Sequence, residues 1–514
     1  MASDAPDEGT APAEPGLRAF TYAFAKENGL VLMGRDGEGL PIVGVRTEQN
    51  GRYAPGPWAL AEARRATGGT VQLDPLPKDI FERKLSEIYS AEGLAAATFD
   101  DQGEGGDLND LAEGLPAAAD LLDTEDDAPV IRLINALIAE AVKTRASDIH
   151  VEPYETELSI RLRIDGVLRE VLSLPPKLTP VLISRVKVMS RLDIAETRIP
   201  QDGRISLAMG GRLVDVRVST LPSRFGERVV MRLLDKEQAK LDLDTLGMPA
   251  ELLERFKKVI RRPNGIVLVT GPTGSGKTTT LYSALTLLND PGVNILTVED
   301  PVEYALDGVG QTQVNSKVGM TFATGLRAIL RQDPDIVMVG EIRDAETAQI
   351  AVQASLTGHL VLSTVHTNSA VGAVTRLRDM GVEPFLLAST IAGVLAQRLV
   401  RRLCESCKQE RPASPTDLAL MGLPEKTKLS VYEPVGCPRC NGTGYEGRIG
   451  IYELVVADET FRRLLHDDAS EQAIAAHAFA HAPTLASSGY EHVRAGRTSI
   501  AEVVRVAQEA EGGA

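Results

Sequence analysis

Aromatic residues fill only 4% of the 514 positions, and Trp58 is the one tryptophan. Proteins that grip nucleic acid strands want stacking rings and basic grooves, and this chain is poor in the first. It is also net acidic, with 55 Lys plus Arg against 71 Asp plus Glu, a formal charge of −16. There are four cysteines, too few for a disulfide scaffold of this length. No apolar run reaches the roughly 18 residues that a membrane-spanning helix needs. The first basic residue is Arg18, so the start lacks the basic and apolar pattern of a secretory signal. These absences lead us to expect a cytosolic, peripheral protein with no nucleic-acid partner, any membrane contact being indirect.

Hydrophobic residues make up 43% of the chain, ample for several cores. Residues 1–16 are small, polar and Pro-rich and read as a disordered tail. Residues 17–90 regain a globular mix and end in a helical pattern of Ile80, Leu85 and Ile88. Residues 92–127 hold 12 acids and no Lys or Arg. Such a stretch repels itself and reads as a solvated acidic linker over 91–127. It accounts for most of the net charge, so the remainder is nearly balanced.

A helical period (Val130, Leu133, Ile134, Leu137, Ile138) opens the next region. Leu158, Ile160, Leu162 and Ile164 then alternate, Asp165-Gly166 makes a turn, and Val167 and Leu168 resume, which is a hairpin signal. Val214, Val216 and Val218 mark a further strand. These features define a small α+β domain over 128–236, followed by a short linker over 237–249. From residue 250 short apolar strands alternate with helical segments, at 266–270, 295–298, 336–339 and 360–364. That rhythm predicts an α/β domain over 250–400 with a parallel sheet covered on both faces.

The first of these strands runs into GPTGSGKT over residues 271–278, and a helical segment follows. This is a complete P-loop in its strand–loop–helix setting. Its glycines turn the backbone so that amides face inward, and the helix start adds partial positive charge. The candidate ATP-binding residues are Gly271, Pro272, Thr273, Gly274, Ser275, Gly276, Lys277, Thr278 and Thr279. Lys277 would reach the β- and γ-phosphates, and the Thr278 hydroxyl would bind Mg²⁺.

Ligands in open α/β sheets sit beyond the carboxyl ends of the strands. Those ends here deliver Glu299, Asp300 and Glu303, then Glu341, then His366. Acids at these places can order Mg²⁺ or the attacking water, and an imidazole can meet a γ-phosphate. Gly340 fills the slot where the second P-loop acid usually stands, so Glu341 is displaced by one position. His359, at the start of its strand, fits a structural or a functional role equally. Arg204, Arg217, Arg327 and Arg331 are cations available to neutralise phosphate, though chemistry alone does not single them out.

All four cysteines lie in two C-x₂-C pairs, Cys404/Cys407 and Cys437/Cys440. Two such knuckles suit a Zn²⁺ ion held by four thiolates, with unlinked thiols or a redox pair as alternatives. A four-thiolate site is closed, hence structural. We place a zinc subdomain over 401–450 and a C-terminal helical region over 451–514.

LTVEDPVEY over 296–304, RQDPD over 331–335, VGEIRD over 339–344, and TGHL with TVHT over 357–360 and 364–367 resemble the motor ATPases of type II secretion and type IV pilus assembly. RIPQDGR over 198–204 and the segments 217–223 and 226–232 match as well. The cysteine quartet points to assembly motors rather than retraction motors, and the short N-terminal region points to the secretion branch, with pilus extension as its rival.

The resemblance implies a homohexamer with a RecA-like motor domain and nucleotide held between it and the small domain. It implies that Glu303 polarises the attacking water, that Glu341 fills the second acidic motif, and that His366 meets the γ-phosphate. Lys277 would act in catalysis as well as binding, and Thr278, Asp300 and Glu341 are the Mg²⁺-linked set. Arg204 and Arg217 fall at the family's small-domain arginines. Residues 17–90 would dock on the cytoplasmic domain of an inner-membrane platform protein, beside an integral platform protein. The expected work is pseudopilus assembly that drives protein secretion. A nucleic-acid translocase built on the same core is the more distant alternative.

Overall fold

A computed structural model describes residues 128–209, 212–235, 242–480 and 482–511. Nearer the start it describes 28–35, 40–47, 55–67 and 69–77 with a few isolated positions. The expected tail over 1–16 and the acidic linker over 91–127 lie outside the described residues, apart from Leu108 in the linker. So does most of the helical pattern ending at Ile88. The chain divides into two compact units. One is residues 1–162 with 168–233, the other residues 163–167 with 234–514.

In the first unit, β1 (Leu30–Arg35) pairs antiparallel with β2 (Pro41–Thr47). The helix α1 (Pro57–Thr67) then crosses over to β3 (Gln72–Pro77), which pairs parallel to β2. Leu30, Leu32, Val43, Val45, Ala59 and Ala63 form its core. Trp58 is exposed, and its ring meets that of Phe24 at 5.9 Å between centroids.

The same unit holds α2 (Ala128–Lys143), β4 (Asp148–Pro153), β5 (Leu158–Ile164), β6 (Val167–Leu174), α3 (Thr179–Met189), β7 (Gln201–Met209), β8 (Arg212–Ser223) and β9 (Gly226–Asp235). The strands form one sheet in the order β6-β5-β4-β9-β8-β7. The periodic residues Leu133, Ile134, Leu137 and Ile138 of α2 are all buried. Asp165 and Gly166 both take positive φ, 49° and 85°, the backbone a tight two-residue hairpin turn requires.

The second unit is built on a seven-stranded sheet. Its elements are α4 (Ala250–Ile260), β10 (Gly265–Thr270), α5 (Lys277–Leu288), β11 (Ile295–Glu299), β12 (Gly310–Gln313), α6 (Phe322–Ile329), β13 (Ile336–Val339), α7 (Ala345–Leu356), β14 (Leu360–Val365), α8 (Ala370–Asp379), α9 (Pro384–Thr390) and β15 (Ile391–Leu403). A small antiparallel pair, β16 (Gln409–Pro412) and β17 (Ser430–Glu433), flanks α10 (Pro415–Leu420). Then come β18 (Tyr445–Val456), α11 (Glu459–His466), α12 (Glu471–Ala478), α13 (Leu485–Arg494) and α14 (Ile500–Glu511).

The sheet order is β12-β11-β13-β14-β10-β15-β18, parallel throughout except for β18, which runs antiparallel to β15. Successive strand residues point to opposite faces. Ile266 and Leu268 thus join one core with Leu326, Ile350 and Val371, while Val267 and Val269 join the other with Phe256, Leu281 and Leu285. Helices therefore cover both faces, as the unbroken apolar strands require.

Two of the expected boundaries fall inside strands. β15 runs on to Leu403, past the line drawn at 400/401, and β18 runs to Val456, past the line at 450/451. The ribbon is paired in register from Gly393↔Val456 to Leu403↔Tyr445. The cysteine region is thus a loop grown from the far end of the seven-stranded sheet, and the C-terminal region opens with a sheet strand before its helices.

Candidate active site

The P-loop is the turn between β10 and α5, and its geometry follows from glycine. Gly271 has φ +145°, and a Cβ there would lie 2.4 Å from the Gln397 carbonyl and 2.7 Å from Ser275 Oγ. Pro272, Thr273 and Gly274 are exposed on the loop, and Gly276 starts α5 with φ 88°. The first amides of a helix have no intrahelical acceptor, so they face whatever sits on the loop. Ser275 Oγ is buried with no hydrogen-bond partner among the described residues. That orphaned hydroxyl in a glycine-made cradle fits a bound phosphate group.

Lys277 Nζ bends back over the loop and donates to the carbonyls of Gly271 at 2.9 Å and Pro272 at 3.0 Å. Burial lowers its pKa to about 8, helped by Arg398 and opposed by Glu341. Thr278 lies in the first turn of the helix, and the Thr279 carbonyl accepts the Ser283 hydroxyl at 2.8 Å.

β13 and β14 bring the second acid and the histidine to the same end of the sheet. His366 Nε2 lies 3.2 Å from Glu341 Oε2, and Arg343 pairs with Glu341 Oε1. Burial lowers the His366 pKa below its ordinary value and the Lys277 charge adds to this, while Glu341 pulls the other way. Lys277, Glu341 and His366 therefore share one electrostatic site. Asp300 joins its edge, since its charge is felt by Arg343. Glu303 is half-buried on the irregular segment between β11 and β12, its N–H donating to Tyr282 Oη at 3.2 Å. The hydroxyl of Thr278 and the carboxylates of Asp300 and Glu341 are hard oxygen donors, the kind Mg²⁺ takes.

His359 sits at the opposite end of β14, where its Nδ1 meets the Ala354 carbonyl at 2.8 Å and Thr357 Oγ1 at 3.1 Å. It closes the end of α7. Arg327 pairs with Glu346 at 2.7 Å, and Arg331 donates to the Arg327 carbonyl at 2.8 Å.

In the first unit, Arg204 and Arg217 stand directly opposite each other across β7 and β8. Two like charges at that spacing repel. Arg204 is paired with the buried carboxylate of Asp215, which offsets part of the repulsion.

Sequence reasoning missed the brace under the loop. Gln397 Nε2 donates to the Ser275 carbonyl at 2.6 Å, and its Oε1 accepts the Thr280 hydroxyl at 2.8 Å. The adjacent Arg398 is buried and donates to Asn368 Oδ1 at 3.0 Å. A Gln-Arg pair inside an otherwise apolar run was the available signal, because buried polar groups need partners.

The four cysteines converge. Their sulfurs lie within 4.8 Å of one another, with Cys404–Cys437 at 3.9 Å, Cys407–Cys440 at 3.8 Å and Cys437–Cys440 at 3.7 Å. A tetrahedral Zn²⁺ with sulfurs at about 2.3 Å has edges of about 3.8 Å, whereas a disulfide needs about 2.05 Å. Amides of Gly436 (3.3 Å), Cys437 (3.2 Å) and Gly444 (3.1 Å) point at the sulfurs of Cys407 and Cys440, as they would toward thiolates. The cluster is compatible with zinc.

A P-loop feeding the helix of a doubly covered parallel sheet, with acids and a histidine at neighbouring strand ends, defines a RecA-like P-loop ATPase. Comparison with known proteins narrows this. The family model described as "Type II/IV secretion system protein" matches residues 123–505, and a model of an N-terminal domain of "GSPII protein E" matches 19–89. Type II secretion system protein E of Aeromonas hydrophila is 54% identical over 510 residues, covering 99% of this chain and 100% of that protein. Type II secretion system ATPase E of Vibrio cholerae is 58% identical over 453 residues, covering 88% and 90%. The chain belongs to the type II secretion system ATPase E family.

Among solved structures, the ATPase DotB of Legionella pneumophila superposes with a TM-score of 0.54 at 22% identity, over 74% of this chain and 96% of that one. DotB of Yersinia pseudotuberculosis gives 0.55 at 21%, over 73% and 93%. These two share the fold. No helix among the described residues is long and apolar enough to cross a membrane.

Proposed function

We propose that this chain is a hexameric cytoplasmic ATPase that powers pseudopilus assembly at an inner-membrane platform and so drives protein secretion. The observation that carries the reading is the convergence of Lys277, Glu341 and His366 around a glycine-built loop with an orphaned buried hydroxyl. In this reading the loop amides, Ser275 and Lys277 hold the β- and γ-phosphates, and Glu303 orients the attacking water. His366, kept neutral near pH 7 by its surroundings, donates a hydrogen bond toward the γ-phosphate. Thr278, Asp300 and Glu341 would hold Mg²⁺, which neutralises phosphate charge when bound.

Cys404, Cys407, Cys437 and Cys440 hold a structural Zn²⁺. Residues 17–90 dock on the cytoplasmic domain of a platform protein, which places the ATPase at the membrane's cytoplasmic face. The relatives carry type II secretion names over nearly their whole length, which supports secretion over pilus extension.

The test uses the full chain in a host lacking its own secretion ATPase. Wild type restores secretion and hydrolyses ATP. Lys277→Ala loses nucleotide binding, and Glu303→Gln binds but turns over at least tenfold more slowly. Wild-type turnover in Lys277→Ala, or active hydrolysis without restored secretion, refutes the proposal.

A further inference from the structure

Tyr282 is fully buried on α5, five residues after Lys277. Packing alone would be served by phenylalanine, so the hydroxyl needs an account. A phenolic oxygen can donate one hydrogen bond and accept others, and here it does both. It donates to Glu299 Oε2, a carboxylate that is itself buried at the end of β11. It accepts from the Glu303 N–H at 3.2 Å, and Gln311 Nε2 lies 3.3 Å away. Glu299 is anchored in turn, its Oε1 accepting from Thr297 Oγ1 at 2.5 Å and Gln311 Nε2 at 3.1 Å.

The segment between β11 and β12 has no helix or strand to fix it. Side chains fix it instead. Gln311 on β12 donates to the Tyr304 carbonyl at 3.0 Å and accepts the Leu306 N–H at 2.8 Å. The Tyr304 ring lies edge-on to Tyr282, with centroids 6.1 Å apart. The Glu303 backbone is therefore held from below by a residue of the helix whose first turn carries Lys277.

We propose that Tyr282 is a positioning residue: its hydroxyl, anchored on Glu299, ties the Glu303 segment to the phosphate-binding helix. The carboxylate that orients water is then carried by the same rigid element that grips the phosphates. Tyr282 touches no reacting atom and acts through Glu303. The inference rests on the reading of Glu303 as the residue that orients the attacking water.

The experiment measures steady-state ATPase kinetics and binding of a fluorescent ATP analogue on the full chain. The variants are Tyr282→Phe, Glu303→Gln, the double variant, and Gln311→Leu, which loosens the same segment from an edge strand. Tyr282→Phe is expected to lower kcat at least tenfold while KM and analogue Kd stay within twofold. In the Glu303→Gln background it adds no more than a twofold further loss, because the group it positions is already gone. Gln311→Leu lowers kcat in the same direction with Kd retained.

Wild-type turnover in both Tyr282→Phe and Gln311→Leu, alongside a slow Glu303→Gln, overturns the inference alone. So does a Tyr282→Phe loss that multiplies with that of Glu303→Gln, or one that falls equally on Kd. Wild-type turnover in Glu303→Gln overturns the reading of Glu303 itself and the inference with it.

Discussion

Lys277 gives the site a pH response that can be worked out in advance. Its pKa is depressed from 10.5 to about 8, by burial first and then by Arg398. Between those values the unfolded chain binds the extra proton and the native chain does not. The contribution of Lys277 to ligand-free stability therefore rises with pH across about 8 to 10.5. Nucleotide affinity runs the other way, because a polyphosphate needs the ammonium. If only the charged form binds, affinity falls by the ratio of charged fractions, which from pH 7 to pH 9 is about tenfold for a pKa of about 8. A lysine of ordinary pKa would lose only a few per cent over the same span.

The assay is titration of the full chain with a fluorescent ATP analogue at fixed Mg²⁺ and ionic strength, repeated from pH 7 to 9.5. Calorimetry in buffers of different ionisation enthalpy should show proton uptake on binding that grows as pH rises through about 8. Lys277→Arg, which stays charged throughout, should be flat. A flat wild-type profile, or an equal slope in Lys277→Arg, refutes the argument.

Other outcomes follow from the same geometry. Gly271→Ala forces a side chain into positive φ and against the Gln397 carbonyl, so thermal unfolding should reveal a loss of at least about 1–3 kcal/mol, along with lost nucleotide binding. Metal analysis of the purified chain should find one zinc per chain. Cys437→Ser should abolish it and lower the melting temperature, and full retention of zinc would contradict the four-thiolate site. Glu502 is buried and its pKa lies at about 2, because hydrogen bonds from Arg505 and Arg401 outweigh the upward push of burial. Its stabilisation is present above about pH 4.5 and lost as pH falls toward 2, so Glu502→Ala should cost about 3–5 kcal/mol at pH 7 and flatten the acid limb of unfolding.

The motor domain was legible because each of its local signals agrees with the fold. The strands expected at 266–270, 295–298, 336–339 and 360–364 form within one residue of those limits, since short apolar runs between helices have one good packing solution. The hairpin at Asp165-Gly166 was legible because few residues tolerate two successive positive φ values. The β15–β18 ribbon was not. Ile391–Leu403 carries Gln397 and Arg398 mid-run and shows no clean alternation, and its partner lies far downstream, beyond the cysteines. Long-range antiparallel pairing leaves little local trace, so the domain lines were drawn through the strands. Tyr282 and Gln311 escaped for a related reason. Each is unremarkable in sequence, and only the tertiary fold shows that their polar atoms meet at Glu299, a strand-end acid already visible in the sequence.

That ribbon also connects the cysteine cluster to the P-loop. β15 lies beside β10, the strand that delivers the P-loop, and its Gln397 braces the loop from below. Farther along the same strand, the Arg401 N–H and guanidinium both bind Glu502 of α14, and the Arg401 cation lies 4.1 Å over the Tyr445 ring of β18. Leu403 then leads directly into Cys404, while β18 begins at Tyr445, shortly after Cys440. An antiparallel ribbon open at that end would fray, because its last pairs have neighbours on one side only. The cysteine cluster, Glu502 and Tyr445 close that end, on the same strand that carries Gln397 under the P-loop.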